Sequence, residues 1–201
     1  MTDAKRLEPP APDASSDATI SIARANALAL LWLPIAAALV LAPFVVVWGR
    51  GALGPGLGHL LSLAVLLPTM AVSIVLHELL HAAGFLLFGR VPRSAVRVGV
   101  HRSTLTPYAT CLMPVAAAAY RGAALLPAIA LGILPAIAGV IFGFGWLAVW
   151  AALMLAVAGG DLAAVWAIRR LPADTLVLDH STRVGCTIVT SVALTAEGDS
   201  A

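Results

Sequence analysis

His77-Glu78-Leu79-Leu80-His81 places two imidazoles and a carboxylate within little more than one helical turn. Side chains at i and i+4 of a helix share a face, so His77 and His81 can both reach one metal ion. Glu78 falls about 100° round from His77, near enough to hold a metal-bound water without displacing it. The chemistry that such a set supports is metal-assisted hydrolysis, with Glu78 as general base. A third ligand emerges by elimination. A metzincin needs a histidine at position 87, where Leu87 stands. No acidic residue occurs between Glu78 and Asp161, His59 falls in a loop, and His101 and His180 fall outside the apolar runs. Asp161 is therefore the expected oxygen ligand of a two-histidine, one-carboxylate site with one position left for water, and these donor types favour Zn2+. The plainer alternative is that these groups are buried polar residues satisfied by neighbours, with Asp161 bonding across helices.

The elements that must position these residues are apolar. The chain has 201 residues, 61% of them hydrophobic and 11% charged, with mean hydropathy +0.98. That balance excludes a soluble globular domain and indicates an integral membrane protein. One uncharged run lies between Arg24 and Arg50, and a second extends from about Leu60 to Gly89, broken only by the histidine–glutamate motif. Between Arg121 and Asp161 a single helix would be roughly 58 Å long, about twice a hydrocarbon core of about 30 Å. It must fold back, and Gly143-Phe144-Gly145 is the expected turn. The expected fold is an all-α membrane protein with four transmembrane helices and a small cytoplasmic β-hairpin between helices 2 and 3. A carboxylate inside such a helix costs roughly 2.5–3.5 kcal/mol, so Glu78 and Asp161 stand out. His81 lies nine residues before Arg90 and Asp161 eight before Arg169. Both should therefore sit about 12–14 Å from the same boundary.

Four spans put all but Arg50 of the 12 basic residues on one side, so both termini are expected in the cytoplasm. The net charge of +2 is then a topology signal, with no nucleic-acid partner implied. Trp48, Trp146, Trp150 and Trp166 fall near span ends, as interfacial anchors do. Residues 1–22, rich in Ala, Pro, Ser and Asp, read as a disordered tail. Residues 23–170 form the transmembrane metalloprotease-like domain and 171–201 a cytoplasmic C-terminal tail. Cys111 and Cys186 belong to no C-x-x-C pair and fall on the side where disulfides are uncommon.

Between Ser94 and Cys111 the period changes to two, with Val96, Val98 and Val100 alternating with Arg97, Gly99 and His101. Arg102-Ser103 is the expected turn, and Pro107 confines the second strand to an edge. The hairpin reads first as one resting on lipid headgroups, and alternatively as an edge that adds an extended peptide. Tyr108 fits either an oxyanion donor or an interfacial tyrosine. Thr175–Leu178 and Cys186–Val192 read as further short strands.

The run Val75-Leu76-His77-Glu78-Leu79-Leu80-His81-Ala82-Ala83-Gly84-Phe85, with Gly159-Gly160-Asp161 and Leu176-Val177-Leu178-Asp179-His180, resembles a zincin peptidase family of prokaryotic multi-pass membrane proteins. The resemblance covers roughly residues 60–190. More distantly the layout is similar to the site-2 protease class of intramembrane metalloproteases, in which a histidine pair on one span meets an aspartate on a later one. It implies that His77, His81 and Asp161 hold zinc and that Glu78 is the base. Site-2 proteases place an asparagine–proline motif before that aspartate and a glycine after it. Here Gly159 and Gly160 precede Asp161 and Leu162 follows it. The ligand role survives that change, whereas substrate handling by the asparagine does not carry over.

The resulting expectation is a hydrolase of the prokaryotic plasma membrane that cuts a peptide or membrane-protein substrate near the cytoplasmic leaflet. The alternative is a non-enzymatic membrane metal binder or transporter that uses the same ligands.

Overall fold

The computed structural model describes residues 17–54, 57–60, 62–101, 106–180 and 183–189. Four helices in it are long and apolar enough to cross a membrane: Ala23–Trp48, Leu63–Phe88, Ala117–Phe142 and Gly145–Ala167. The first is α1 (Ile22–Trp48), whose first turn is capped by the Ser21 hydroxyl accepting from Arg24 N–H. A short α2 (Leu57–Leu60) precedes α3 (Leu63–Phe88), which carries the histidine–glutamate motif.

The third long helix is α4 (Ala117–Pro127) continued through a π-helical stretch, Ala128–Ile133, into α5 (Leu134–Phe142). Leu134 N–H reaches back to Ile129 O, beside Pro135, which has no N–H to keep the ordinary ladder going. The chain then reverses where the sequence predicts. Gly143 adopts φ 72°, a left-handed conformation that suits glycine, and ends α5. The last long helix is α6 (Gly145–Val157) followed by α7 (Gly159–Ala167), with a break at Ala158. It packs against both α1 and α5.

Small side chains bring these helices together. Ala36, Val40 and Phe44 of α1 form one cluster with Ala148, Ala151, Ala152 and Leu155 of α6. Large apolar residues such as Leu30 (71% exposed) and Val46 (84%) point away from the protein, as they must if lipid is the solvent. Indole N–H groups join helices as well: Trp32 donates to Leu155 O and Trp48 to Val140 O, both at 2.7 Å.

Two sheets sit at the end of the bundle where α1 and α4 begin and α3 and α7 finish. Strands β2 (Val96–His101) and β3 (Thr106–Cys111) form the hairpin expected over residues 94–111, with Val96 opposite Cys111 and His101 opposite Thr106. The expected turn residues Arg102 and Ser103 lie outside the described residues. The second sheet has the order β1-β6-β5-β4, from β1 (Asp17–Ile20), β4 (Val115–Ala116), β5 (Leu176–Asp179) and β6 (Val184–Ile188). Both sheets pack onto the bundle through Phe85, Cys111, Val115, Tyr120, Ile168, Val177 and Cys186.

This sheet corrects three expectations. The fold is mostly helical rather than all-α. The stretch 1–22, read as disordered, contains at Asp17–Ile20 an edge strand paired with β6, while residues 1–16 lie outside the described residues. The segment 171–201, read as a tail, supplies β5 and β6, close to the Thr175–Leu178 and Cys186–Val192 strands anticipated within it. The missed strands, β1 of four residues and β4 of two, carry too little alternation to show in sequence. Their pairing comes from partners far along the chain.

Candidate metal centre

Helix α3 turns His77 inward, with only 6% of it exposed, and His81 one turn later. Asp161 comes from the first turn of α7, where unpaired backbone N–H groups and the helix dipole favour a carboxylate. His77 Nε2 lies 3.0 Å from Asp161 Oδ2, and His81 Nε2 lies 3.2 Å from Oδ1. The two Nε2 atoms are themselves 3.2 Å apart, with the rings nearly perpendicular at 81°. The three residues thus present one donor atom each, all within 4.8 Å of one another.

Two features test whether a metal fits. Donors about 2.0–2.1 Å from a tetrahedral ion are separated by about 3.3 Å, close to the spacing found here. In addition, Asp161 Oδ2 is buried and, among the described residues, makes no hydrogen bond of acceptable geometry, although His77 Nε2 is close. A buried carboxylate oxygen left without a donor is costly. Donor atoms that converge on one point rather than on each other explain the near approach without the bond.

The histidine pair has outer support. His81 Nδ1 is 3.0 Å from Ala123 O on α4, and a carbonyl there can only accept. The Nδ1–H tautomer follows, leaving the Nε2 lone pair for a ligand. This contact depends on Gly84, one turn beyond His81. A Cβ added at Gly84 would lie 2.5 Å from Ala123 Cα, so only glycine lets α3 and α4 approach closely enough. The two glycines before Asp161 serve different ends. A Cβ on Gly159 would lie 2.9 Å from Ala29 Cα of α1, so Gly159 permits helix packing. One on Gly160 would meet nothing within 4 Å, and Gly160 lines the cavity beside Asp161.

That cavity, of about 490 Å³, also receives Glu78, Ala109, Tyr120, Asp179 and Arg183. The Glu78 carboxylate accepts from the backbone N–H of Ala109 in β3. Tyr108 and His180, also singled out from sequence, lie elsewhere. Tyr108 stacks over Gly99 of the paired strand and lines an adjoining groove between β3 and β5. His180 accepts from Arg183 N–H at Nδ1 and faces Asp17 at 3.8 Å from Nε2, joining β5 to the N-terminal strand. His101 ends β2, and its side chain lies outside what the structure describes.

Sequence reasoning missed Ala109, Gly84 and Ala123, which act through backbone or through lack of bulk. It also missed the role of Asp179, whose only signal was the Asp179-His180 pair. Thr110 Oγ1–H donates to Asp179 Oδ2 at 2.7 Å, and Tyr120 O–H reaches Oδ1 at 3.1 Å and Gly185 O at 3.3 Å. Burial pushes the Asp179 carboxyl above the usual carboxylate range, against the pull of Thr110 and Tyr120. Burial likewise pushes the neighbouring Cys186 thiol up to about 12, and both it and Cys111 are free, buried thiols.

Fold and site together define a mostly helical protein with a candidate two-histidine, one-carboxylate metal centre. Residues 70–176, more than half of the chain, match the family described as "Putative zincin peptidase", and the chain belongs to that family. Membership points to a metallopeptidase and to a metal, usually zinc. The matched stretch contains α3 from residue 70, the hairpin and Asp161, and stops before Asp179. No curated protein and no solved structure matches the chain.

Proposed function

We propose that this protein is a zinc-dependent intramembrane peptidase that hydrolyses peptide bonds of a membrane-protein or peptide substrate near the cytoplasmic leaflet. The observation that carries the reading is the approach of Asp161 to both imidazoles, at 3.0 and 3.2 Å, from a helix remote in sequence. His77, His81 and Asp161 would hold the ion. When bound, zinc supplies Lewis-acid activation of water and of the scissile carbonyl. Glu78, on the cavity wall and oriented by the Ala109 N–H, accepts the proton of the attacking water and returns it to the departing amine.

The setting supports action within a membrane. Four helices have the length and hydropathy of membrane spans, and the cavity adjoins the sheets at the end where, among the described residues, all the basic ones but Arg50 gather. By the positive-inside rule that end, with both termini, faces the cytoplasm of a prokaryotic plasma membrane. Water reaches the ligands from that side.

The test uses the purified full chain in detergent, loaded with zinc, and a library of quenched fluorescent peptides as probe. Wild type should release fluorescence. Glu78→Gln should keep the zinc and cleave about 10²–10⁴-fold more slowly. Cleavage by Glu78→Gln at the wild-type rate would remove the general base. Stoichiometric zinc in a wild type that cleaves nothing, together with zinc flux in proteoliposomes, would assign the site to metal carriage instead.

A further inference from the structure

Asp179 is half-buried and set against three elements at once. It sits at the end of β5, takes a hydrogen bond from Thr110 of β3 and faces Tyr120 of α4, while Tyr120 also reaches Gly185 O of β6. It lies in the wall of the cavity that holds Glu78 and Asp161, yet belongs to no metal-ligating group among the described residues. The neighbour of Thr110 in the chain is Ala109, whose N–H holds the Glu78 carboxylate. Consecutive Cα atoms are about 3.8 Å apart and rigidly linked, so any shift of Thr110 carries Ala109 with it. In the hairpin register Ala109 faces Val98 and Thr110 faces Arg97, so the β3 residues that touch Glu78 and Asp179 are adjacent.

We propose that Asp179 is a positioning residue for Glu78, which fixes β3 through Thr110 and thereby holds the Ala109 amide against the Glu78 carboxylate. This rests on the reading of Glu78 as general base. Asp179 then acts without touching substrate. A proton count points the same way. The Tyr120 hydroxyl has one hydrogen and two acceptors within reach, Asp179 Oδ1 and Gly185 O. A protonated Asp179 completes the network: its own O–H donates to Tyr120, Tyr120 donates to Gly185 O, and Thr110 donates to the other carboxyl oxygen. An amide at position 179 supplies the same pattern, with N–H donating to Tyr120 and C=O accepting from Thr110. Asparagine should therefore replace Asp179 as a positioner, although it cannot replace a proton donor.

The experiment has two readouts on the zinc-loaded full chain. In hydrogen–deuterium exchange, Asp179→Ala and Thr110→Val should raise exchange across β3, while Asp179→Asn should leave it at the wild-type level. Against the quenched peptide library, Asp179→Ala and Thr110→Val should each lower kcat between about tenfold and a hundredfold, with KM and zinc content unchanged. Asp179→Asn should retain wild-type kcat, and the double variant Asp179→Ala with Thr110→Val should be no slower than either single one, because both remove the same link. Loss of kcat in Asp179→Asn with normal β3 exchange would overturn the proposal by making Asp179 a proton donor. Unchanged β3 exchange in Asp179→Ala and Thr110→Val would overturn it by removing the link. Failure of the peptidase reading looks different: wild type itself would cleave nothing, and the positioning of a base would fall with it.

Discussion

His77 Nε2 and Asp161 Oδ2 stand 3.0 Å apart without the geometry of a hydrogen bond, one on α3 and the other at the start of α7. Packing of small residues holds them there. Gly84 seats α3 on α4 at Ala123, and Gly159 seats α7 on α1 at Ala29. The site is thus a product of helix spacing as much as of its donor atoms.

Removing a donor should remove the metal. His77→Ala and Asp161→Ala are expected to weaken zinc binding by more than the roughly 10–100-fold typical of outer-shell changes, whereas Glu78→Gln keeps one zinc per chain. Metal analysis after dialysis against a weak chelator measures this. Full zinc in Asp161→Ala would show that the aspartate is not a ligand.

Gly84→Ala tests the support behind His81. The new Cβ would meet Ala123 Cα at 2.5 Å, so α3 and α4 must separate and the Ala123 carbonyl must leave His81 Nδ1. We expect a loss of about 1–3 kcal/mol in stability and of about 10–100-fold in zinc affinity. Competition with a zinc-binding dye reads the second effect, and unchanged affinity would mean that the Ala123 contact does not orient the ring.

The adjacent glycines should respond in opposite ways. Gly159→Ala drives a methyl group into Ala29 and is expected to lower the melting temperature by several degrees. Gly160→Ala meets open space and gains by restricting the unfolded chain, so its melting temperature should hold or rise slightly. Thermal unfolding of the two variants side by side decides the matter. Equal losses would place Gly160 in a packed contact.

Asp179 should leave a signature in stability against pH. Burial raises its folded-state pKa above that of the unfolded chain, so the folded protein holds this proton more tightly. The corresponding stability is fully present below the unfolded pKa and is lost as pH rises through the folded one. The amide of an Asp179→Asn variant does not ionise. The melting temperature of that variant relative to wild type should therefore increase between about pH 4 and pH 8. A constant difference across that range would mean that Asp179 has an ordinary pKa.

Much of this was legible in the residues themselves. Apolar runs set the four long helices, Gly143 set the turn between the last two, and alternation at Val96–His101 set the hairpin. The i, i+4 spacing set the histidine pair, because such facts are local and repeat with the period of the element. Asp161 was reachable as the remaining acid at matching depth, which needed only the rise per residue. Tertiary structure alone decided the rest. It showed that Gly84 and Ala123 orient His81, that the Ala109 amide holds Glu78, and that Thr110, Tyr120 and Asp179 join one strand to another and to α4. These contacts run through backbone atoms, through missing side chains, or between residues far apart in the chain, and none of the three leaves a period in a sequence.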